Sequence, residues 1–305
     1  MTLFSRALTL PFCLLAFCLS LPATQAATFI DQTGRQVVIA APPQRIVSLI
    51  PSITEIVFAL GAGDRLQGVS QFSDEPPAAA RLPRIGSYVR PDLEKIIALR
   101  PDLCLASRDG NPAHTVDRIR SLGIPAFVVD PRSLEEVAES IRLLGSVLGA
   151  EDEAALIVRE MESKTAIAEQ QAAAAGTKPR VFFQIDAAPI ISAGSPTFID
   201  TLISRAGGVN LAAGPVPYPR FSWEDALRLQ PDVIIIASMA GGYSDEELTA
   251  AWRRWPQIPA VRDGRIHVVP ADLFDRPTPR LADGLLRLTE LLHRSAVPPT
   301  TRREP

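Results

Sequence analysis

Apolar residues recur along this chain in two rhythms. Short unbroken runs such as Arg45-Ile-Val-Ser-Leu-Ile50, Leu103-Cys-Leu-Ala106, Ala126-Phe-Val-Val129 and Val233-Ile-Ile-Ile236 alternate with longer stretches whose apolar positions return every three or four residues. The first pattern belongs to strands buried on both faces, the second to amphipathic helices. Together they predict strands at 45–50, 103–106 and 126–129 among helices at 52–61, 93–99, 115–122 and 134–148. The pattern then restarts with strands at 180–185, 233–237 and 265–269 among helices at 198–206, 223–229, 245–252 and 282–293. The first helix shows capping-box spacing from Ser52 to Glu55 and stops at Gly61. Ahead of it, residues 27–40 alternate apolar and polar around Gly34, as a small hairpin does. Strands alternating with helices predict an α/β fold with mainly parallel sheets covered on both faces.

Between the two halves lies a stretch with no Gly or Pro, residues 152–175, in a chain otherwise full of both. Ile157, Met161, Thr165 and Ala168 recur at helical spacing, acids crowd the first turn, and Gly176 and Pro179 end it. One helix of two dozen residues spans about 36 Å, the width of a small domain, and so can brace two lobes. The expected boundaries are an N-terminal lobe at 27–149, a linking helix at 150–177 and a C-terminal lobe at 178–295.

The halves also share residues. Tyr88, Arg90, Glu94, Leu99, Pro101 and Asp102 recur as Tyr218, Arg220, Glu224, Leu229, Pro231 and Asp232, each at an offset of 130 residues and each ahead of an apolar strand. Six identities in order within a fifteen-residue window read as one unit used twice.

The first 26 residues carry one Arg, an apolar stretch and small residues at Thr24 and Ala26, as a secretory signal cleaved after Ala26 does. Cys13 and Cys18 each follow Phe, where lipoprotein processing needs a small residue, so lipidation is not expected. Removal of the signal leaves Cys104 as the one cysteine, read as a buried apolar residue within a strand. It also takes 31 basic against 34 acidic residues to 30 against 34, mildly acidic and without a basic block, which argues against nucleic acid as a partner. A periplasmic protein working as a monomer is expected, with a disordered tail at 296–305.

No Walker loop, nucleophile elbow or His-Glu-x-x-His motif occurs, and Gly61-Ala-Gly63 follows a helix instead of opening one. His114, His267 and His293 match no metal-ligand spacing. An exported hydrolase or metal enzyme is therefore disfavoured, and no metal site is expected. The candidate chemistry is instead aromatic side chains in Pro- and Gly-bounded loops: Phe72, Tyr88, Tyr218, and Phe274 beside Asp272 and Arg276. Loops that lead into helices sit at sheet ends, where α/β proteins bind ligands. Asp272 and Arg276 suit either the rim of a polar ligand or an ordinary surface ion pair.

The segment Arg45-Ile-Val-Ser-Leu-Ile-Pro-Ser-Ile-Thr-Glu55, the loop Phe72-Ser-Asp-Glu-Pro-Pro77, the segment ending Leu-Arg-Pro-Asp102, and residues 272–280 resemble the periplasmic cobalamin-binding proteins of ABC importers. These belong to the helical-backbone (class III) substrate-binding proteins, a group that also serves siderophores and haem. The resemblance implies two Rossmann-like lobes joined by one long helix, with a transported corrinoid, and no resident cofactor, in the cleft between them. It places Phe72, Tyr88 and Tyr218 as aromatic cleft residues and Asp272 and Arg276 as polar contacts. It makes Glu94 and Glu224 the pair of lobe-top acids that dock on the permease dimer. Equivalent acids from a repeat also suit a partner with two-fold symmetry. Ser107, Tyr88 and Tyr218 stand where some of these proteins have tryptophan. A ferric siderophore or haem is the alternative ligand, with Arg90, Arg108, Arg220 and Arg276 as cations for an anionic siderophore and either Tyr for haem iron.

Overall fold

The computed structural model describes residues 25–195, 197–237 and 243–293. The expected signal at 1–26, apart from Gln25 and Ala26, and the expected tail at 296–305 lie outside the described residues. The chain opens with an antiparallel hairpin, β1 (Gln25–Ile30) and β2 (Gln36–Ala41). At its turn Asp31 Oδ1 accepts the N–H of Thr33 and Arg35 while Gly34 takes a φ of 81°.

The N-terminal lobe follows as β3 (Ile46–Ser48), α1 (Pro51–Ala59), β4 (Leu66–Val69), the ribbon β5 (Gly86–Ser87) and β6 (Arg90–Pro91), α2 (Leu93–Ala98), β7 (Leu103–Ser107), α3 (Ala113–Ser121), β8 (Ala126–Val129) and α4 (Leu134–Leu148). Its sheet has the order β4-β3-β7-β8, and all three pairings are parallel. Gly149 ends α4 with a left-handed φ of 66°, and the next turn starts α5 (Glu151–Ala175).

Beyond α5 come β9 (Arg180–Ala187), β10 (Ile190–Ser192), α6 (Phe198–Arg205), β11 (Val209–Asn210), β12 (Arg220–Phe221), α7 (Trp223–Arg228), β13 (Val233–Ile236), α8 (Asp245–Arg253), α9 (Pro259–Arg262), β14 (Ile266–Val268), α10 (Ala271–Phe274) and α11 (Leu281–His293). The order is β12-β10-β9-β13-β14, with β11 on β9; β10 is antiparallel to its neighbours, while β9, β13 and β14 run parallel. The fold is thus two α/β lobes with mainly parallel central sheets, joined by one long helix.

That helix is continuous with both cores. One cluster of buried residues runs from Ile53 and Leu144 through Ala154, Val158, Met161 and Ala168 to Leu285 and Leu288. The buried stripe is Ala154, Val158, Met161, Ala168 and Ala172, whereas Ile157 and Thr165 are half-buried. Small residues let the helices close up: a Cβ on Gly145 of α4 would lie 2.5 Å from Ala154 Cβ. Ion pairs line the edges, Arg142 to Glu162 at 2.8 Å toward α4 and Lys164 to Asp283 at 2.6 Å toward α11. Such exposed pairs are worth under about 1 kcal/mol each, so the apolar stripe does most of the bracing.

The repeat has a structural cause. Asp102 accepts the N–H of Arg45 at 2.9 Å, while the Arg45 guanidinium donates to the carbonyls of Leu99 at 2.6 Å and Arg100 at 3.0 Å. Asp232 accepts the N–H of Arg180 at 2.9 Å, and Arg180 donates to the carbonyls of Leu229 at 2.8 Å and Gln230 at 3.4 Å. In both copies the arginine satisfies the orphan carbonyls at the end of a helix. The residue before the proline, Arg100 or Gln230, takes a left-handed φ of 47° in each.

One local expectation is corrected. α1 has no capping box: Pro51 occupies its first turn, Ile50 is the N-cap without a side-chain bond, and Ser52 is buried within the helix. Glu55 is instead committed to an arginine of the other lobe.

Candidate functional site

Loops that leave the C-terminal ends of the two sheets meet between the lobes, where Tyr218 reaches Asp109, Arg276 the Phe72 carbonyl and Arg280 Glu55; the space they bound is the interlobe cleft. On the N-terminal side, the loop after β4 presents Phe72, 48% exposed. Its base is a buried hydroxyl network in which Thr54 Oγ1 lies 2.9 Å from Ser48 Oγ and 3.1 Å from Ser73 Oγ, with Ser73 2.9 Å from Ser70. Arg84 holds the same loop from outside, donating to the carbonyls of Ser70 at 3.0 Å and Ser73 at 2.8 Å and to Asp74 at 3.0 Å. An exposed aromatic on an anchored loop is pre-organised for a partner surface.

Tyr88 sits in the β5–β6 turn, half-buried. Its carbonyl accepts from Asn111 Nδ2 at 2.8 Å. The same amide donates to Leu49 O at 3.1 Å and accepts the Ser107 N–H at 2.9 Å, so a buried Asn111 ties three loops together. A Cβ at Gly110 would come within 2.2 Å of Ile50 Cδ1, so the glycine leaves room for Ile50, while Tyr88 Cδ2 at 3.5 Å would stand in ordinary contact. Ser107 is buried at the end of β7 and offers no aromatic wall there.

From the C-terminal lobe Tyr218, 40% exposed, reaches across and donates to Asp109 Oδ2 at 3.2 Å. Burial of its hydroxyl, then the carboxylates of Asp109 and Asp275, push the phenol well above its ordinary pKa, with Arg132 opposing. Arg276 also crosses the cleft, donating to the Phe72 carbonyl at 3.3 Å. Arg280 makes a third crossing: its Nε and Nη2 donate to Glu55 Oε1 at 2.7 Å and Oε2 at 2.8 Å, and Nη2 also reaches Asp272 Oδ2 at 2.9 Å. That geometry is the bidentate fork of a strong arginine–carboxylate pair. Asp272 and Arg276 are therefore not paired with each other; Asp272 belongs to Arg280.

Phe274 is a correction. It is 0% exposed, in the shared core, with its ring centroid 5.7 Å from that of Phe183. As the last residue of α10 it points into the apolar interior, so it supports the loop from beneath and does not line the cleft.

Glu94 and Glu224 are both exposed, and both are second in their helix, α2 behind the N-cap Asp92 and α7 behind the N-cap Ser222. Glu224 Oε1 accepts from Arg228 at 2.6 Å on its own helix. Trp223 lies beside it, 37% exposed, edge-on to buried Trp252 with centroids 5.1 Å apart.

Sequence reasoning missed Asn111, Glu55 and Arg280. Asn111 follows the Asp109-Gly110 turn and carried that composition alone as a signal; the Glu55–Arg280 pair spans 225 positions and carried none.

Two lobes, a bracing helix, and exposed aromatics from both lobes beside the contacts that join them are the features of a two-lobed solute-binding protein. The chain matches the periplasmic binding protein family over residues 46–273, and it belongs to that family. Among its relatives, the vitamin B12-binding protein of Vibrio cholerae serotype O1 is 32% identical over 265 residues, which are 85% of this chain and 93% of that protein. The solved periplasmic vitamin B12 binding protein of Vibrio cholerae superposes with a TM-score of 0.75 at 32% identity, covering 82% of this chain and 97% of that one. A periplasmic haem binding protein from Pseudomonas aeruginosa superposes with a TM-score of 0.76 at 29% identity, covering 84% and 94%.

Proposed function

We propose that this protein is exported to the periplasm by a cleaved N-terminal signal, captures cobalamin or a related corrinoid in the interlobe cleft, and delivers it to the permease of an ABC importer. The observation that carries this reading is the pair of exposed aromatics, Phe72 of one lobe and Tyr218 of the other, each beside a hydrogen bond between the lobes. A broad, partly apolar macrocycle is bound by stacking on such rings, with a few polar groups fixing its rim. The names of the relatives at 32% identity support the same ligand.

Haem is the second reading, favoured by the similarity to the Pseudomonas aeruginosa haem binding protein. Iron ligation through Tyr218 asks for a phenolate, and burial together with Asp109 and Asp275 opposes that ionisation. An anionic siderophore asks for uncommitted cations; of the four candidates Arg108 lies 3.3 Å from Asp130 and Arg276 reaches the Phe72 carbonyl, whereas Arg90 and Arg220 are exposed. The surroundings of the Tyr218 hydroxyl and the two engaged arginines support a neutral, amide-rimmed macrocycle.

Glu94 and Glu224 are the acids we assign to docking, because they occupy the same helix position in the two copies of the repeat and both project from the surface. Purified protein mixed with cyanocobalamin should carry the coloured ligand through gel filtration. Passage of the protein without colour, while haem co-elutes, would replace the corrinoid with haem in an otherwise unchanged account.

A further inference from the structure

Each acid assigned to docking stands beside a large apolar side chain that the fold leaves in water. In α2 that residue is Ile97, 44% exposed, three positions after Glu94 and so on the same side of the helix. In α7 it is Trp223, one position before Glu224 in the first turn. The two copies of the repeat reach this result at different places. At the offset of 130, Trp223 corresponds to Leu93 and Ile97 to Leu227, and both of those counterparts are half-buried. The register of the repeat therefore does not account for the exposure, yet each acid-bearing helix keeps one large apolar side chain uncovered.

Trp223 is also held firmly from beneath. Its ring lies edge-on to Trp252, which is fully buried, packs against Phe182 with centroids 5.5 Å apart, and donates its indole N–H to Gln184 Oε1 at 2.8 Å. An aromatic ring fixed in this way loses little freedom when a second surface covers it. Single exposed apolar residues are ordinary on a folded chain; two that flank a pair of equivalent acids mark a shared face.

We propose that Trp223 and Ile97 are the apolar anchors of the permease contact, each covered by an apolar permease surface while the neighbouring acid meets a cation. This rests on the docking assignment of Glu94 and Glu224. The two kinds of group divide the work: charges steer the encounter and set its register, and a buried aromatic carries affinity. Trp223 offers the larger and more rigid surface, so the C-terminal lobe makes the stronger contact. The acids recur unchanged between the lobes whereas their apolar neighbours differ, so the apolar pair is what distinguishes one lobe from the other on a two-fold symmetric partner.

The test supplies purified, cyanocobalamin-loaded protein to spheroplasts of source cells deleted for it, and reads the protein concentration that gives half-maximal uptake. Wild type is compared with Trp223→Ala, Trp223→Phe, Ile97→Ser and the double Glu94→Arg, Glu224→Arg variant, each below its own thermal midpoint and each with its cyanocobalamin affinity measured in solution. Trp223→Ala should raise the half-maximal concentration by about fivefold or more and Ile97→Ser by about twofold, with cyanocobalamin affinity within about twofold of wild type in both. Trp223→Phe keeps a ring on Trp252 and should stay within about twofold of wild type, which separates loss of the exposed surface from loss of the packing beneath it. Ala and Ser variants that drive uptake as wild type does, while the double acid variant fails, overturn the proposal and leave the docking assignment intact. So does a loss of cyanocobalamin affinity that matches the loss of uptake, which would make these residues part of the fold or the cleft. Normal uptake with the double acid variant overturns the docking assignment, and the proposal with it.

Discussion

The two copies of the repeated unit agree where the chain must turn and differ where it meets something else. Arg45 with Asp102 and Arg180 with Asp232 make the same clamp, over the same left-handed residue, at the end of the same short helix. The tyrosines that begin the unit are used differently. Tyr88 is half-buried over Gly110, its carbonyl held by Asn111, whereas Tyr218 is exposed and hydrogen-bonded to Asp109 of the other lobe. The acids share a helix position, but Glu224 pairs with Arg228 and neighbours an exposed Trp223, where the first copy has Leu93. Identity at a fixed offset therefore marks two things at once, a structural device and a pair of surface groups, and only their contacts separate the two.

The two acids proposed for docking should give the largest effect. Reversing both acids, Glu94→Arg with Glu224→Arg, should reduce uptake into cells by more than about tenfold while ligand affinity in solution stays within about twofold, since like charges opposed across an interface cost several kcal/mol and exposed charges near the cleft are screened. Normal uptake, or affinity lost with uptake, would return both residues to ordinary helix starts. Next is the asymmetric element, Arg280, which links the second lobe to α1 of the first. Glu55→Gln should lower unfolding stability by about 2 kcal/mol in denaturant titration, less than a fully buried pair because Arg280 keeps some solvent access. The clamps should be smaller and equal. Arg45→Ala and Arg180→Ala should each lose about 1 kcal/mol, and a difference beyond that size would show that the two turns are not equivalent.

The smallest effect is one of pH. The folded pKa of Tyr218 lies above the unfolded value of about 10, so the folded state holds this proton longer. Its contribution to stability is complete below about pH 10 and is lost as pH rises through the folded value. The phenolate difference spectrum of wild type minus Tyr218→Phe should therefore appear above pH 10; titration at or below that value would contradict the burial and carboxylate contacts of the hydroxyl.

Much of the architecture was legible because it is written locally. A run without Gly or Pro had to be a helix, and apolar strands alternating with amphipathic helices had to make covered parallel sheets. Of the stripe on the long helix, Met161 and Ala168 are buried and Ile157 packs partly buried against the core, whereas Ala154 and Ala172 carry no strong signal because hydrophobicity underweights the Ala residues that permit close helix contact. Strands of two or three residues, such as β10 and β11, are too short to show a period. Phe72 and Tyr218 were visible as aromatics in breaker-rich loops. Phe274 carried the same signal, but only the packing of α10 on Phe183 shows that its ring turns inward. The Glu55–Arg280 pair depends on which lobe faces which, and no local pattern records that.

The central claim is that two halves of one repeat wall a single corrinoid cleft. Titrating cyanocobalamin into wild type, Tyr88→Ala, Tyr218→Ala and the double variant tests it directly. The account predicts wild-type binding, at least about fivefold weaker binding for each single variant through lost base-like stacking area on the macrocycle, and a larger loss for both together. Absence of wild-type binding, or a double variant that binds as wild type does, would contradict it.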